Sequence, residues 1–232
     1  MILPFNDEEE KIYVANLAKA NKELQELYDI EGSDKMQILK LLTRLRQLCL
    51  EPRLVYDNID QPSSKLKACM ELIKTMQENK QKVLLFSSFT SVLDLIAEEC
   101  QKAGITYYML TGSTNKEERR ELVSRFQKDD TTVFLISLKA GGTGLNLTSA
   151  ENVIHYDPWW NVSAQNQATD RAYRIGQKNN VQVFNLVMKD SVEEKIIEMQ
   201  KRKKELADMF VENNSGGLSQ MSKEDILSLF TM

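Results

Sequence analysis

The sequence is short of the residues that build cross-linked or metal-bound folds. Its 232 residues contain three cysteines, Cys49, Cys69 and Cys100, and a single histidine, His155. The cysteines are odd in number and widely spaced, and no CxxC or Cys/His pair has the spacing of metal ligands. The thiols are therefore predicted to be reduced and mostly buried. His155 stands alone in an apolar segment and is interpreted as a core residue.

Long apolar runs and a strong excess of one charge are also absent. No run approaches the roughly 18 apolar residues that span a bilayer, and the start MILPFNDEEE lacks the basic and then apolar pattern of a signal peptide. We expect a protein that stays inside a cell and does not contact a membrane. Thirty basic and 34 acidic side chains give a net charge of −4, which argues against a strong stand-alone binder of nucleic acid but allows a local basic groove.

Hydrophobic periodicity divides the chain into three parts, expected at 1–61, 62–190 and 191–232. The first part shows two helical patterns, and the second alternates amphipathic helices with apolar strands. The predicted strands are KVLLFSSF, ITYYML, TTVFLIS, NVIHY and VQVFNLVM. This alternation predicts an α/β fold with a mainly parallel sheet covered by helices on both faces. The third part reads as one long helix that Ser191 and Glu194 begin as a capping box.

Unusual residues follow several of the predicted strands, where parallel sheets bind ligands. The loops are TGST at 111–114, SLKAGGTGLN at 137–146 and DPWWN at 157–161. The glycine-rich loop has Leu147 where a dinucleotide fingerprint has its third glycine, and the chain contains no Gly-Lys-Ser/Thr sequence. As a nucleotide motif it is weak. Its exposed backbone N–H groups and short donors suit an anionic chain such as a nucleic-acid backbone.

The segment QNQATDRAYRIGQ, residues 165–177, is predicted to be a helix that ends at Gly176. Four small or apolar residues share one face suited to packing on a sheet: Ala164, Ala168, Ala172 and Ile175. On the adjoining flank the helical period brings together Gln167, Arg171 and Arg174. Read alone, such a flank is compatible with an ordinary solvated surface.

In order and spacing, these segments resemble the later motifs of superfamily-two helicase-like ATPases. The similarity is greatest to the SWI/SNF (chromatin-remodeller-type) branch of DNA translocases, and the run from Asp170 to Gln177, D-R-x-x-R-I-G-Q, is specific to that branch. The flanks ILKLLTRLRQLCLEPRLV and SVEEKIIEMQKRKKEL are similar to its helical insertion and its brace helix. Two residues depart from the usual pattern. Val162 replaces a proline, and Tyr173 replaces a histidine.

The resemblance implies a RecA-like C-terminal lobe that helps to hydrolyse ATP bound by another lobe. Arg171 and Arg174 would be arginine fingers on the γ-phosphate, and Gln167 would hold phosphate or water. A guanidinium suits this role because it is permanently charged and offers planar, multiple donors. The nucleotide-binding residues would be Gly142, Gly144 and Asn146. The residues expected to contact nucleic acid, without reading its sequence, are Phe89, Thr111, Gly112, Ser113, Ser137, Lys139, Gly141 and Trp160.

A complete enzyme of this type needs a Walker lysine and an acidic magnesium box, and the sequence contains neither. We therefore expect the C-terminal lobe of a larger ATPase, inactive alone, with ATP and Mg²⁺ held mainly by the first lobe and no metal in this chain. The expected partners are double-stranded DNA and the N-terminal RecA-like lobe of the same protein, with no obligate oligomer. The location would be the nucleoid in a bacterium's cytoplasm or the nucleus in a eukaryote.

Two alternatives from other classes remain open at this stage. The first is a non-catalytic RecA-like interaction module, which would have no chemical reason to keep Gln167, Arg171 and Arg174 together. The second is half of a sugar-nucleotide transferase, which needs a carboxylate after the glycine loop, and Glu151 is poorly placed for that role. A shared fold does not by itself exclude either of them.

Overall fold

The structure of the chain is a computed structural model, and it describes residues 1–28, 35–141, 147–159, 165–166, 169, 180–209 and 228–230. A 3₁₀ turn, Pro52–Leu54, follows the second helix. The helices and strands are β1 (Ile2–Leu3), α1 (Asp7–Tyr28), α2 (Lys35–Leu50), α3 (Ser64–Glu78), β2 (Val83–Ser87), α4 (Thr90–Lys102), β3 (Tyr107–Leu110), α5 (Lys116–Phe126), β4 (Val133–Ser137), α6 (Leu138–Gly141), β5 (Asn152–His155), β6 (Gln182–Asn185), β7 (Val187–Met188) and α7 (Val192–Met209).

These elements form two compact units. One comprises Met1 with residues 66–186, and the other comprises residues 2–65 and 187–232. The division expected from the sequence, at residues 61 and 190, stays a prediction.

The first unit is built on a five-stranded sheet in the order β3-β4-β2-β5-β6, in which each strand is parallel to its neighbours. All five residues of β2, all five of β4 and all four of β5 are buried. Strands buried on both faces read as continuous apolar runs, which is why these segments show no polar alternation. The predicted mainly parallel α/β fold with flanking helices is confirmed.

Aromatic and aliphatic side chains from one face of this sheet pack under α5. Phe126 of α5 lies 5.1 Å from Phe134 of β4, measured between ring centroids. Leu84 and Phe86 of β2 belong to the same buried cluster. Side chains alternate along a strand, so Val83 and Leu85 point to the opposite face, and they too are completely buried. Helix α4 follows β2 directly and packs against β2, β3 and β4.

The second unit is mainly helical, with α1 packed on α2 and α2 on α7. Its centre contains a completely buried ion pair, in which Lys65 Nζ lies 2.7 Å from Glu193 Oε1. Three carboxylates converge on the start of α3. Glu51 accepts the backbone N–H of Ser63 at 3.0 Å, Glu9 accepts that of Ser64 at 2.7 Å, and Glu193 binds the ammonium of Lys65.

The three thiols are free and buried, as the sequence predicted. Burial raises the pKa of Cys100 to about 12. It also raises the pKa of Cys49, which lies near the Glu193 carboxylate. A thiol whose pKa is raised in this way stays protonated and is a poor nucleophile or metal ligand. These side chains therefore belong to the packing of the fold.

The strand predicted at VQVFNLVM is divided between two sheets. Residues 182–185 pair with β5, but β5 ends at His155, so Val187 has no partner in that sheet. Val187 and Met188 instead pair with Ile2 and Leu3, a strand that the sequence did not predict. Two-residue strands carry too little pattern to be recognised from sequence.

The start of α7 also differs in detail from the predicted capping box. Ser191 Oγ accepts the N–H of Glu193 at 3.1 Å, and Glu194 accepts the N–H of Asp190 at 2.7 Å. Both side chains therefore cap the helix, but each bonds one residue earlier than a capping box requires. No helix within the described segments has the length and apolar character needed to cross a membrane.

Candidate nucleotide and nucleic-acid site at the carboxyl edge of the sheet

The five parallel strands of the first unit end at one edge, and their register fixes which ends are neighbours. Ser87 at the end of β2 is paired with Ser137 at the end of β4. Phe86 is paired with His155 of β5, which is paired with Asn185 of β6. The loops after these strands must therefore lie side by side, which is the place where open α/β sheets bind ligands.

A buried carboxylate, Asp157, joins the ends of β2 and β5. Its Oδ1 accepts the hydroxyl of Ser87 at 2.7 Å and the backbone N–H of Ser88 at 3.0 Å, and its Oδ2 accepts the hydroxyl of Ser88. Asp157 is only 1% exposed. Three donors from adjacent residues compensate for the loss of water around this carboxylate and fix the course of the loop after β2.

The same loop positions Phe89, one of the predicted nucleic-acid contacts. Its backbone N–H donates to Ser87 Oγ at 3.1 Å, so Ser87 bridges Phe89 and Asp157. Phe89 has extended backbone angles, occupies the N-cap position of α4 and is half-buried. An aromatic side chain held this way at the sheet edge is suited to packing against a sugar or a base.

The turn after β3 presents short polar groups to solvent. Thr111 Oγ1 and Ser113 Oγ are 2.8 Å apart, and the N–H of Thr111 donates to Thr114 Oγ1 at 3.1 Å. A Cβ atom added to Gly112 would meet nothing within 4 Å. The fold itself therefore does not require glycine at this position, whereas a ligand approaching the backbone closely would favour it.

The loop after β4 contributes one buried and one exposed polar residue. Ser137 is 4% exposed, and its hydroxyl accepts the N–H of Ala140 at 3.4 Å. Lys139 is exposed at the same turn, which ends with Gly141. Arg119 of α5 donates to the carbonyl of Ala140 at 3.2 Å and so ties this turn to the helix after the TGST loop.

His155 and its neighbours hold the start of the predicted arginine helix, of which residues 165–166 and 169 are described and are helical. His155 Nε2 lies 2.9 Å from Thr169 Oγ1. Gln165 donates to Asn185 Oδ1 at 2.9 Å and accepts the backbone N–H of Trp159 at 3.2 Å. Burial lowers the pKa of His155 to about 4, against the opposing charge of Asp157, so this imidazole is neutral at physiological pH.

Several predicted site residues lie outside the described part of the chain, and their roles stay predictions. They are Gly142, Gly144, Asn146, Trp160, Gln167, Arg171 and Arg174. The other predicted residues are described and lie at or after the carboxyl ends of neighbouring strands: Phe89, Thr111, Gly112, Ser113, Ser137, Lys139 and Gly141. Trp159 packs against the core cluster under α5.

Sequence reasoning did not find three residues that organise this edge: Asp157, Arg119 and Thr169. Asp157 carried a usable signal, because a carboxylate directly after a buried strand must find donors at the sheet edge. Arg119 looked like one more charge on a polar helix. Thr169 was unremarkable between Ala168 and Asp170, since its partner His155 is 14 residues away.

The residues described here do not form a metal site. In the segments that the structure describes, no group of three or more histidine, cysteine, aspartate or glutamate side chains comes together. The described donors thus do not fit a divalent cation.

Comparison with known proteins agrees with this architecture. Residues 64–176 match the family model described as the helicase conserved C-terminal domain. An uncharacterized ATP-dependent helicase of Mycoplasma pneumoniae is 38% identical over 208 residues, which are 89% of this chain and 20% of the relative. A mouse protein, SWI/SNF-related matrix-associated actin-dependent regulator of chromatin subfamily A member 1, is 34% identical over 224 residues, 90% of this chain and 21% of its own length.

A solved structure extends the likeness from sequence to fold. The Sulfolobus solfataricus SWI2/SNF2 ATPase core in complex with dsDNA superposes with a TM-score of 0.78 at 28% identity, over 99% of this chain and 49% of that one. The chain spans about a fifth of the length of the curated relatives it matches. Together with the strand order and the motifs at the carboxyl edge, these matches show that the chain belongs to the SWI/SNF family of superfamily-two helicase-like ATPases and has the fold of its C-terminal helicase lobe.

Proposed function

We propose that the chain is the C-terminal lobe of a DNA-dependent ATPase that moves along duplex DNA and remodels protein–DNA complexes. ATP and Mg²⁺ would be bound mainly by an N-terminal RecA-like lobe of the same protein. Arg171 and Arg174 would reach the γ-phosphate from this lobe, with Gln167 holding phosphate or water. The chain by itself would hydrolyse no ATP above background. In a bacterium it would act at the nucleoid, and in a eukaryote in the nucleus.

The observation that carries the proposal is that two groups of predicted site residues lie at different strand ends along the carboxyl edge. Phe89, Thr111, Ser113 and Lys139 follow β2, β3 and β4. The segment that begins the arginine helix is instead hydrogen-bonded to β5 and β6, through His155 and Asn185. One part of the edge could thus contact a nucleic-acid backbone, while the predicted helix that contains Arg171 and Arg174 would begin at another. The relatives named as ATP-dependent helicases and the neighbour solved with dsDNA support both ligands.

The DNA-contacting set is built for contact without sequence readout. Hydroxyls, a backbone exposed at Gly112 and one lysine donate to phosphate oxygens, which are the same at every base pair. Gly141 and Ser137 belong to the turn that presents Lys139, and Trp160 would add a stacking surface. Because the chain has a net charge of −4, its affinity for DNA would depend on these local donors and on the first lobe. Gly142, Gly144 and Asn146 are proposed to approach the nucleotide through their backbone and amide groups.

The test is a crossed measurement of turnover and DNA binding in the intact protein. Arg171→Lys and Arg174→Lys keep the charge but lose the planar set of donors. Each is expected to lower ATP turnover by about 10³-fold or more, with DNA affinity unchanged. Lys139→Ala is expected to keep turnover at saturating DNA and to lower the slope of log affinity against log salt by about one.

The matched control is Arg120→Lys, the same substitution at an exposed arginine of α5. It is expected to change neither turnover nor DNA affinity. Near-normal hydrolysis by both Arg171→Lys and Arg174→Lys would show that these arginines are structural. An unchanged salt slope in Lys139→Ala would remove that residue from the DNA surface.

A further inference from the structure

The segment that begins the arginine helix is held by two separate polar contacts on one side. His155 Nε2 and Thr169 Oγ1 are 2.9 Å apart, and Gln165 Nε2 donates to Asn185 Oδ1 at 2.9 Å. Gln165 and Thr169 are four residues apart, so they share a face of the helix. The partners lie on adjacent strands, since His155 and Asn185 are paired across β5 and β6. Two contacts to two strands fix both the position of a helix and its rotation about its axis.

The hydrogen bonds of Thr169 indicate which atom carries the proton in its contact with His155. The Thr169 hydroxyl donates its single proton to the carbonyl of Gln165 at 3.3 Å. It can then only accept from His155, so the imidazole proton is on Nε2. In the described part of the chain, no hydrogen-bond partner meets the buried Nδ1. This atom fits the unprotonated nitrogen of a neutral imidazole, which agrees with the lowered pKa of His155.

Packing of the core does not by itself require a histidine at position 155. His155 is 1% exposed and stacks on Phe86 with 5.7 Å between ring centroids. A phenylalanine could fill the same space and would not leave a buried nitrogen without a partner. What histidine adds is the Nε2–H donor toward Thr169. Histidine at this position therefore gives a hydrogen bond to Thr169, on the segment predicted to contain the arginines, although within the described residues its Nδ1 meets no partner.

The helical period relates these anchors to the arginines. With Gln165 set at 0° and about 100° per residue, Thr169 lies at about 40°. On the sequence-predicted helix, Gln167, Arg171 and Arg174 fall at about 180–240°. The anchored face is therefore opposite the face that carries the proposed catalytic residues. On this predicted helix, bonds from Gln165 and Thr169 to the strand ends would leave Arg171 and Arg174 on the side turned away from those bonds.

We propose that the His155–Thr169 hydrogen bond, together with the Gln165–Asn185 bond, positions the arginine helix for ATP hydrolysis. The proposal rests on the proposed function, since it assigns residues that act through Arg171 and Arg174. Thr169 and His155 are positioning residues and touch no substrate. Catalytic groups must be held within about 0.5 Å of their productive places, and a misplacement of about 1 Å can lower a rate by about 100-fold.

The experiment compares Thr169→Val with Thr169→Ser in the intact protein. Valine keeps the shape and removes the hydroxyl, whereas serine keeps the hydroxyl. Thr169→Val is expected to lower kcat by about 10- to 100-fold, with KM for ATP, DNA affinity and the thermal midpoint close to those of the parent protein. Thr169→Ser is expected to restore most of kcat. A purely structural threonine would not give this split between kcat and the other quantities.

His155→Phe is the second variant, because phenylalanine preserves the stacking on Phe86 and removes the donor. It is expected to reproduce the kcat loss, and the His155→Phe/Thr169→Val double variant is expected to lose no more than either single variant. Normal kcat in Thr169→Val, equal losses in Thr169→Val and Thr169→Ser, or additive losses in the double variant would each overturn the proposal. Unfolding of both single variants would overturn it as well, since the bond would then hold the fold.

The outcome separates this inference from the function on which it rests. If Arg171→Lys and Arg174→Lys abolish turnover while Thr169→Val is normal, only the positioning role fails. If the arginine variants are normal, the proposed function fails first, and a kcat loss in Thr169→Val would then have to come from another part of the edge.

Discussion

The two units of the molecule each bury a carboxylate, and they compensate for it in different ways. In the helical unit, Glu193 is completely buried against Lys65, with 2.7 Å from Nζ to each carboxylate oxygen. Its Oε2 also accepts the N–H of Met188 at 2.9 Å. In the sheet unit, Asp157 is bonded by the hydroxyl and N–H groups of Ser87 and Ser88.

We infer from this difference that Glu193 mainly stabilises the fold, whereas Asp157 mainly positions the loop after β2. Lys65 and Glu193 are 128 residues apart, and their pair fastens the start of α3 to the start of α7. Removing either residue would take away the charge that its partner binds in a dry interior. The neutral donors around Asp157 belong to the end of β2 and the loop that follows it, at the edge proposed to bind ligands. Weakening them changes the course of that loop more than it changes the stability of the fold.

The largest effect is expected from Lys65→Met. Removing the ammonium takes away the cation that bonds both carboxylate oxygens of the buried Glu193, which should lower the free energy of unfolding by about 3–5 kcal/mol. Urea denaturation of the chain measures this change. Adding Glu193→Leu should recover most of the loss. Lys19→Met is the control, because Lys19 and Glu23 form an exposed pair at 3.8 Å whose loss should cost under about 1 kcal/mol. Equal effects at the two lysines would break the comparison.

A smaller effect is expected from acid acting on His155, the buried titratable group next to Asp157. Burial lowers its pKa to about 4, below the 6.5 of an exposed imidazole. Between pH 6.5 and pH 4 the unfolded chain binds more protons at this histidine than the folded chain does. The contribution of the neutral His155 to the free energy of unfolding is therefore complete above pH 6.5 and is lost as the pH falls toward 4. The contribution should fall by about 2 kcal/mol between pH 7 and pH 5.

The measurement for this pH effect is the free energy of unfolding of the parent chain and of His155→Phe across that range. The variant lacks the titrating group, so its stability should decline less steeply on acidification. Parallel pH profiles would show that His155 is solvated or charged in the folded state.

The smallest effect on stability is expected from Asp157→Asn. The amide oxygen can still accept from Ser87 and from the N–H of Ser88, so the free energy of unfolding should fall by about 1 kcal/mol. DNA-stimulated turnover of the intact protein should fall more than this loss explains, because the loop that carries Phe89 loses its charged anchor. Asp94→Asn, at an exposed position on α4, is the control. A large stability loss without a functional one would make Asp157 a second structural charge.

Much of the fold could be predicted from the sequence because its signals are local. The helix at 7–28 and the apolar strands VLLFS, VFLIS and NVIH appear where the periodicity indicated them, with ends shifted by a few residues. Each of these patterns is complete within one segment, and an apolar run bounded by helices has few other stable arrangements.

The candidate site was predictable only in outline. The end of each strand can be recognised locally, and parallel strands end at the same edge of a sheet. The loops that contain Phe89, Thr111 and Lys139 could therefore be expected at one edge. That Ser137 turns inward to bond Ala140 follows from the tight turn of α6, which the sequence did not indicate.

By itself, the sequence determined the fold class, the set of strands and the family motifs, because these depend on the order of polar and apolar residues along the chain. Only the tertiary structure decided which polar groups meet. The donors to Asp157 are 69 and 70 residues away in the sequence, and Lys65 and Glu193 are 128 residues apart. Val187 pairs with Ile2 in the small sheet and not with the strands of the large one. The physical reason is that a buried polar group must be paired, but any compatible partner can satisfy it. The identity of that partner is fixed by the packing of the whole chain.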